Sequence, residues 1–198
     1  MVAASSKAAA TELEMSVNNT DADWMRRALA IAREAAAAPG KNPIGCVIVQ
    51  NGRVIGEACN EVDLRHDATA HAEILAIRRG GATLQCNELR DAVLYSTLQP
   101  CGMCTMVSIW AKISRIVYGA GRDDMHEMYF ENRHLSTENF IRDAFKDNLS
   151  LKGGLLAQNV RFFMCSRERA CPRISSSIAD HRCGDRIIRP EAGSAHLY

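Results

Sequence analysis

Four side chains in two short stretches of the sequence could bind a metal ion and carry out chemistry on it. His71 and Glu73 lie in the first stretch, and Cys101 and Cys104 lie in the second. Imidazole and thiolate groups are ligands that Zn²⁺ prefers, and a zinc site with three protein ligands keeps one position open for water or substrate. No fourth cysteine or histidine stands at motif spacing. The pattern therefore predicts a catalytic zinc site, and a closed structural zinc site is the alternative.

Glu73 is a carboxylate two residues beyond the predicted histidine ligand, where it could move protons. Zinc lowers the pKa of a bound water towards about 7, which makes hydroxide available. We expect this hydroxide to attack an aromatic ring carbon that carries an amino group. Glu73 would take the proton of the water, pass it to a ring nitrogen and later protonate the departing ammonia. Proton transfer of this kind contributes about 10²–10⁴ to a rate. The alternative is a solvated helix carboxylate.

The elements that must position these residues follow from turn signals and hydrophobic spacing. A helix is expected from Thr20 or Asp23 to about Ala36, with apolar residues at helical spacing. Asn51-Gly52 predicts a type I′ turn between two paired strands. The remaining expected elements are strands at 44–49, 53–58, 92–96 and 115–119, a polar loop at 60–68, helices at 69–79 and 136–147, and a strand or helix in 155–164.

A helix opened by Pro100 would place Cys101 and Cys104 in its first turn, on one face, with both sulfurs aimed at one point. Met103, Val107 and Trp110 are expected on its core face. His71 would come from the first turn of the preceding helix. The alternation of strands and helices indicates an α/β fold with a partly parallel sheet and helices on both faces.

Composition indicates an ordinary globular protein with one domain. The 198 residues are 47% hydrophobic, and no apolar run approaches the roughly 20 residues that a membrane span needs. Eight cysteines without a secretory signal favour a reducing compartment, and we expect a cytoplasmic protein. Residues 161–190 carry seven arginines and three acidic residues, so only the C-terminal part is basic. We predict a mobile arm at 1–20, a zinc domain at 21–164 and an Arg/Ser-rich tail at 165–198.

The order His-x-Glu followed by Pro-Cys-x-x-Cys resembles the signature of zinc nucleobase deaminases. The resemblance covers roughly residues 22–125 and is closest to the branch of guanine deaminases, fungal-type cytosine deaminases and tRNA adenosine deaminases. The stretches that carry it are Trp24-Met25, Asn60, Asp67 to Ile74, and Leu94 to Cys104. It implies the fold of the cytidine deaminase-like superfamily, which is a three-layer α/β/α sandwich around a mixed five-stranded sheet. It also implies a homodimer.

The same resemblance implies a role for each matching residue. One zinc ion per chain would be bound by His71, Cys101 and Cys104, and Glu73 would be the general acid and base. Three further residues would contact the substrate: Asn60, Ala72 and Glu131. For Asn60, a simple turn residue after the hairpin is the alternative, and for Glu131 a solvated loop acid.

Two departures from the family pattern bear on the substrate. Gln99 stands where relatives often have glutamate, and the Gly/Ala-rich loop of the tRNA enzymes is replaced after Gly119. In its place, residues 129–132 (Tyr-Phe-Glu-Asn) are similar to the aromatic and acidic segment that guanine deaminases have near the base. We therefore expect deamination of a small nucleobase or nucleoside, with guanine first.

Three alternatives stay open. The first is a tRNA-specific adenosine deaminase, for which the Arg-rich residues 161–173 would grip phosphates, with affinity that falls steeply as salt rises. The second, from another class, is a catalytically silent zinc-stabilised binding module. The third is a second zinc site among the C-terminal cysteines, although their irregular spacing favours free thiols: Cys165, Cys171, His181 and Cys183.

Overall fold

The structure is a computed structural model, and it describes residues 20–125, 136–143 and 149–168. Residues 1–19, Glu131 and the chain beyond 168 lie outside the described residues. So do three of the four proposed ligands of a second zinc, namely Cys171, His181 and Cys183. The expectations for these parts stay predictions.

A mixed five-stranded sheet forms the middle layer. Its order is β2-β1-β3-β4-β5, antiparallel between β2, β1 and β3 and parallel from β3 through β4 to β5. Asn51 and Gly52 both have positive φ, as a type I′ turn requires, so the predicted hairpin is confirmed. The strands are β1 (Asn42–Gln50), β2 (Arg53–Asn60), β3 (Val93–Leu98), β4 (Arg115–Ala120) and β5 (Ser150–Lys152).

Helices cover both faces of this sheet, as predicted. Helix α1 (Asp21–Ala37) packs on the face that Val47 and Val49 present, and the opposite face, with Cys46 and Ile48, packs against a helix at residues 72–84. The alternation of neighbouring residues between two cores is the period-2 pattern of a strand buried on both sides. The sandwich has three layers, α/β/α.

Two glycines allow the helices to approach the hairpin closely. A Cβ atom at Gly45 would overlap the carbonyl oxygen of Ala28, and one at Gly56 would overlap that of Ala76. Any larger residue at either glycine would push a helix away from the sheet. Helix α1 is thereby held against β1, and the helix at residues 72–84, which follows His71, is held against β2.

The helices between β2 and β4 begin at different residues from those predicted. The polar loop at 60–68 contains a helical turn, α2, because its first backbone N–H donates to the side chain of Asn60. Asp67 accepts hydrogen bonds from the N–H and hydroxyl of Thr69, and this turn delays the next helix. The observed helices are α2 (Val62–Arg65), α3 (Ala72–Leu84), α4 (Gly102–Trp110), α5 (Thr137–Asp143) and α6 (Ala157–Glu168).

None of the helices in the described ranges is long and apolar enough to cross a membrane.

The expectation that Trp110 faces the core is wrong. Its side chain is 75% exposed, and Met103 and Val107 are half-buried. The inward face of α4 instead carries Cys104, Thr105, Ser108 and Ile109. Thr105 and Ser108 are accommodated there because their hydroxyls donate to carbonyl oxygens one turn earlier. The rotation of α4 turns Cys104 inward and leaves Trp110 at the surface, while Val107 still packs against the core.

A cluster of ion pairs fastens the start of α1 to the sheet. The carboxylate of Asp21 accepts two hydrogen bonds from Arg115 on β4, at 2.7 and 2.8 Å, one from Lys152 on β5 at 3.0 Å, and one from the hydroxyl of Tyr95 on β3 at 2.9 Å. The hydrogen bonds from Arg115 are the main reason why the pKa of Asp21 lies far below its ordinary value of 3.8. One carboxylate thus ties three strands to one helix.

We predict that Asp21→Asn lowers the free energy of unfolding by about 1–3 kcal/mol near neutral pH, since it weakens hydrogen bonds between charged groups. The lowered pKa stabilises the fold above pH 3.8, and this contribution is lost as the pH falls further. Urea unfolding of both proteins should therefore show a constant difference from pH 5 to 7 that narrows below about pH 4. Asp91→Asn, at an exposed turn, is the control, and an equal loss there would contradict the assignment.

Candidate active site

The starts of α3 and α4 bring the three predicted ligands together. His71 is the N-cap residue of α3, and Cys101 is the N-cap residue of α4, with Cys104 three residues later on the inward face. His71 Nδ1 lies 3.7 Å from Cys101 Sγ and 3.5 Å from Cys104 Sγ, and the two sulfurs are 3.6 Å apart. His71 was expected inside the first helical turn, and it stands one residue before that turn. Its extended backbone there points the imidazole at the start of α4.

This triangle has the dimensions of a tetrahedral zinc site. Ideal zinc–sulfur and zinc–nitrogen bonds place two sulfurs about 3.8 Å apart and a sulfur and a nitrogen about 3.6 Å apart. The three observed separations lie close to these lengths. In the part of the chain that the structure describes, these three side chains are close enough together to bind one metal ion. His71, Cys101 and Cys104 are therefore positioned to hold a zinc ion.

The two cysteines differ in how readily they lose a proton. A hydrogen bond with the Cys104 thiol, opposed by burial and aided by His71, lowers the pKa of Cys101 to about 4. The same hydrogen bond and the burial of the side chain raise the pKa of Cys104. Cys101 is thus the thiol that loses its proton more readily, and zinc binding at this site would require Cys104 to lose its proton as well.

Glu73 lies beside the ligands and is buried, with 4% of its surface exposed. One carboxylate oxygen accepts a hydrogen bond from Ser96 at 3.1 Å, and the other lies 3.5 Å from Cys104 Sγ. Burial, followed by the charge of Cys101, raises the pKa of Glu73. A carboxylate with a raised pKa at this place can both accept and return a proton.

Asn60 and Ala72, the other described candidates, border the same region. Asn60 ends β2 and is 5% exposed, and the next backbone N–H, of Glu61, donates to the carbonyl oxygen of Ala70 at 3.0 Å. Ala72 is fully buried and opens α3, where the first backbone N–H groups have no partner within the helix. Both residues thus flank His71. Glu131 lies outside the described residues.

Gln99 joins the two ends of the segment that contains Glu131. Its amide oxygen accepts a hydrogen bond from the backbone N–H of Arg122 at 3.0 Å, and its amide nitrogen donates to the hydroxyl of Thr137 at 3.3 Å. The hydroxyl of Thr137 donates in turn to the carbonyl oxygen of Pro100. Glutamate could not donate to Thr137, which explains the amide here. The sequence showed the departure from the family pattern but not this function.

A family model for the cytidine and deoxycytidylate deaminase zinc-binding region matches residues 18–120 of this chain. A tRNA-specific adenosine deaminase from Agrobacterium fabrum is 43% identical over 166 residues, which cover 84% of this chain and 90% of that protein. A guanine deaminase from Bacillus subtilis is 36% identical over 115 residues, 58% of this chain and 74% of that protein.

Solved structures give the same fold. The structure of a guanine deaminase from Nitrosomonas europaea superimposes with a TM-score of 0.67, covering 76% of this chain and 85% of that chain at 22% identity. The fold predicted from the sequence is therefore confirmed. Three clustered zinc ligands, a buried carboxylate beside them and a family match over more than half of the chain agree with one another. The chain belongs to the zinc-dependent cytidine and deoxycytidylate deaminase family and is a hydrolytic deaminase.

Proposed function

We propose that this chain removes the amino group of a free purine base, with guanine as the substrate. The observation that carries the deamination reaction is the buried carboxylate of Glu73, which lies 3.5 Å from the sulfur of a zinc ligand and has a raised pKa. The choice of a free base is supported by the acidic cavity beside Gln99. A carboxylate at this position serves hydrolysis, since a purely structural zinc has no use for a proton carrier. The reaction consumes one water and releases one ammonia, and the ring carbon gains an oxygen.

Each site residue has one proposed role in this reaction. His71, Cys101 and Cys104 hold zinc, which when bound polarises water and lowers its pKa. Glu73 would take one proton from water and deliver it to the ring nitrogen next to the reacting carbon. It would then take the proton of the hydroxyl group added to that carbon and pass it to the amino group, which leaves as ammonia. Ser96 donates to the carboxylate of Glu73 and holds it in one orientation.

Three further residues would orient the base. Asn60 and the backbone N–H of Ala72 would hydrogen-bond its edge, and Glu131 would accept hydrogen bonds from the N–H groups of guanine. We also propose that residues 21–164 form the catalytic domain. The expected homodimer and cytoplasmic location stay predictions.

A surplus of negative charge beside Gln99, close to the start of α4, supports a small neutral substrate. A cavity of about 410 Å³ beside Gln99 is lined by Asp123, Asp124 and Glu138 as well as Arg122. Burial, followed by the charges of these three carboxylates, raises the pKa of Tyr118 in the same cavity. A surface with this field repels phosphate groups, whereas it does not oppose a neutral base.

Removal of the amino group of an adenosine in tRNA is the second candidate. The likeness to the Agrobacterium fabrum enzyme favours it, because that alignment extends over most of both chains. The Arg-rich residues 161–173 would then supply the phosphate contacts.

We predict that Glu73→Gln binds a full equivalent of zinc but loses turnover by about 10²–10⁴, because the amide cannot accept a proton. Cys104→Ala is expected to lose both zinc and turnover, since it removes a ligand. Metal analysis and ammonia release measured on the same samples test both statements. Full zinc in Cys104→Ala would refute the ligand assignment, and an active Glu73→Gln would refute the proton carrier.

The substrate is tested by ammonia release from guanine, cytosine, adenine, their nucleosides and an anticodon stem-loop. We expect turnover of guanine and none of the stem-loop. Turnover of the stem-loop alone, with binding that weakens steeply as salt rises, would establish the tRNA reaction instead. Zinc-loaded protein that releases ammonia from none of these compounds would favour a zinc-stabilised binding module.

Gln99→Glu is expected to lower the free energy of unfolding by about 1–3 kcal/mol, because it buries a charge and loses the hydrogen bond to Thr137. Zinc content should be unchanged, since Gln99 is not a ligand. Gln158→Glu makes the same chemical change on an exposed helix surface and should cost less than about 0.5 kcal/mol. Thermal unfolding of both variants compares them, and equal stability would show that Gln99 does not join the two segments.

A further inference from the structure

The side chain of Asn60 has one orientation that its surroundings allow. Its amide oxygen accepts a hydrogen bond from the backbone N–H of Val62 at 3.2 Å and a second from Nδ2 of Asn42 at 3.3 Å. A backbone N–H can only donate, so the atom that meets Val62 must be the oxygen and not the nitrogen. The amide nitrogen of Asn60 therefore points away from both donors.

Asn42 is fixed in the same way by two acceptors. Its amide nitrogen donates to the amide oxygen of Asn60 and also to a carboxylate oxygen of Asp63 at 3.2 Å. A carboxylate and an amide oxygen both accept, so the group between them must be the nitrogen of Asn42. Asn42 and Asn60 are also direct partners in the register of β1 and β2. A short chain of hydrogen bonds thus runs from Asp63 through Asn42 to Asn60.

This chain ends beside the zinc ligands. Glu61, which follows Asn60, donates its backbone N–H to the carbonyl oxygen of Ala70, the residue before His71. Asn60 is 5% exposed, whereas Asn42 is half-buried at the start of its strand. The amide of Asn60 can thus contact a bound base. The amide of Asn42 lies on the other side of Asn60 and holds it by a hydrogen bond.

We propose that Asn42 is a positioning residue that fixes Asn60 as a hydrogen-bond donor towards the substrate. With its oxygen occupied by two donors, Asn60 presents only N–H groups, so it binds an acceptor such as a ring nitrogen or a carbonyl oxygen of the base. Without Asn42, one of the two hydrogen bonds that hold the amide is lost and the group can rotate. The inference rests on the proposed contact between Asn60 and the substrate.

A double-mutant cycle separates positioning from a merely structural role. We expect Asn42→Ala and Asn60→Ala each to lower kcat/KM for the substrate by about tenfold, the value of one hydrogen bond. The double variant should be no worse than Asn60→Ala, within about twofold, because Asn42 acts only through Asn60. A loss in the double variant that equals the product of the single losses would overturn the inference.

Two further variants keep the test decisive. Gln50, at the other end of the same strand, has a side-chain amide that donates to the carbonyl oxygen of Arg90 at 2.7 Å. The variant Gln50→Ala removes this amide and should leave kcat/KM unchanged. Asn42→Leu keeps the branched shape and the number of heavy atoms of the side chain without its donor, and it replaces Asn42→Ala in the cycle if the alanine variant does not fold. Full activity of a folded Asn42→Leu protein would also overturn the inference.

Failure of the inference and failure of the proposed function give different results. If the wild-type protein releases no ammonia from any purine, the proposed function is refuted. An active wild-type protein whose Asn60→Ala variant is unimpaired removes the substrate contact, and with it the role of Asn42, but leaves the deaminase reaction intact. If the losses in kcat/KM of the two single variants multiply in the double variant, only the role of Asn42 is refuted.

Discussion

The meeting of two helix starts at one point is the constraint on which the rest of the structure depends. His71 and the two cysteines come from different helices, yet their ligand atoms lie within 4.8 Å of one another. This requires α3 and α4 to begin next to one another. The glycine at position 56, which brings α3 against β2, and the inward rotation of α4 both serve this arrangement. The exposed Trp110 is a consequence of that rotation.

Much of this arrangement could be predicted from the sequence, because short-range signals decide it. The Asn51-Gly52 turn and the spacing of Cys101 and Cys104 act over a few residues, and both predictions agree with the structure. The core face of α4 could not be predicted from its apolar stripe, since the metal site sets the rotation of that helix. The helical turn at 62–65 was missed; besides its local hydrogen bond to Asn60, it is held by one from the backbone N–H of Leu64 to the carbonyl oxygen of Gly40, which is distant along the chain.

The functions of Asn42 and Gln99 were also beyond sequence reasoning. Asn42 belongs to none of the motifs found in the sequence, and its partners are 18 and 21 residues away along the chain. Gln99 appeared only as a departure from a family pattern, and its partners are 23 and 38 residues away. In both cases a backbone N–H or an acceptor fixes the orientation of the amide. Only the folded chain brings such partners together.

The buried charges near the site show why one carboxylate suits proton transfer. Among the buried polar residues of the described chain, two carry carboxylates, Glu61 and Glu73. Burial opposes the charge of Glu61, but its hydrogen bonds and ion pairs with Arg65 and Lys41 lower its pKa. For Glu73, burial and then the charge of Cys101 outweigh the opposing effects of His71 and Ser96, so its pKa is raised. The two environments thus shift the carboxyl pKa values in opposite directions, and this indicates different roles. Glu61 stays charged and is structural, whereas Glu73 is the group that can gain and lose a proton.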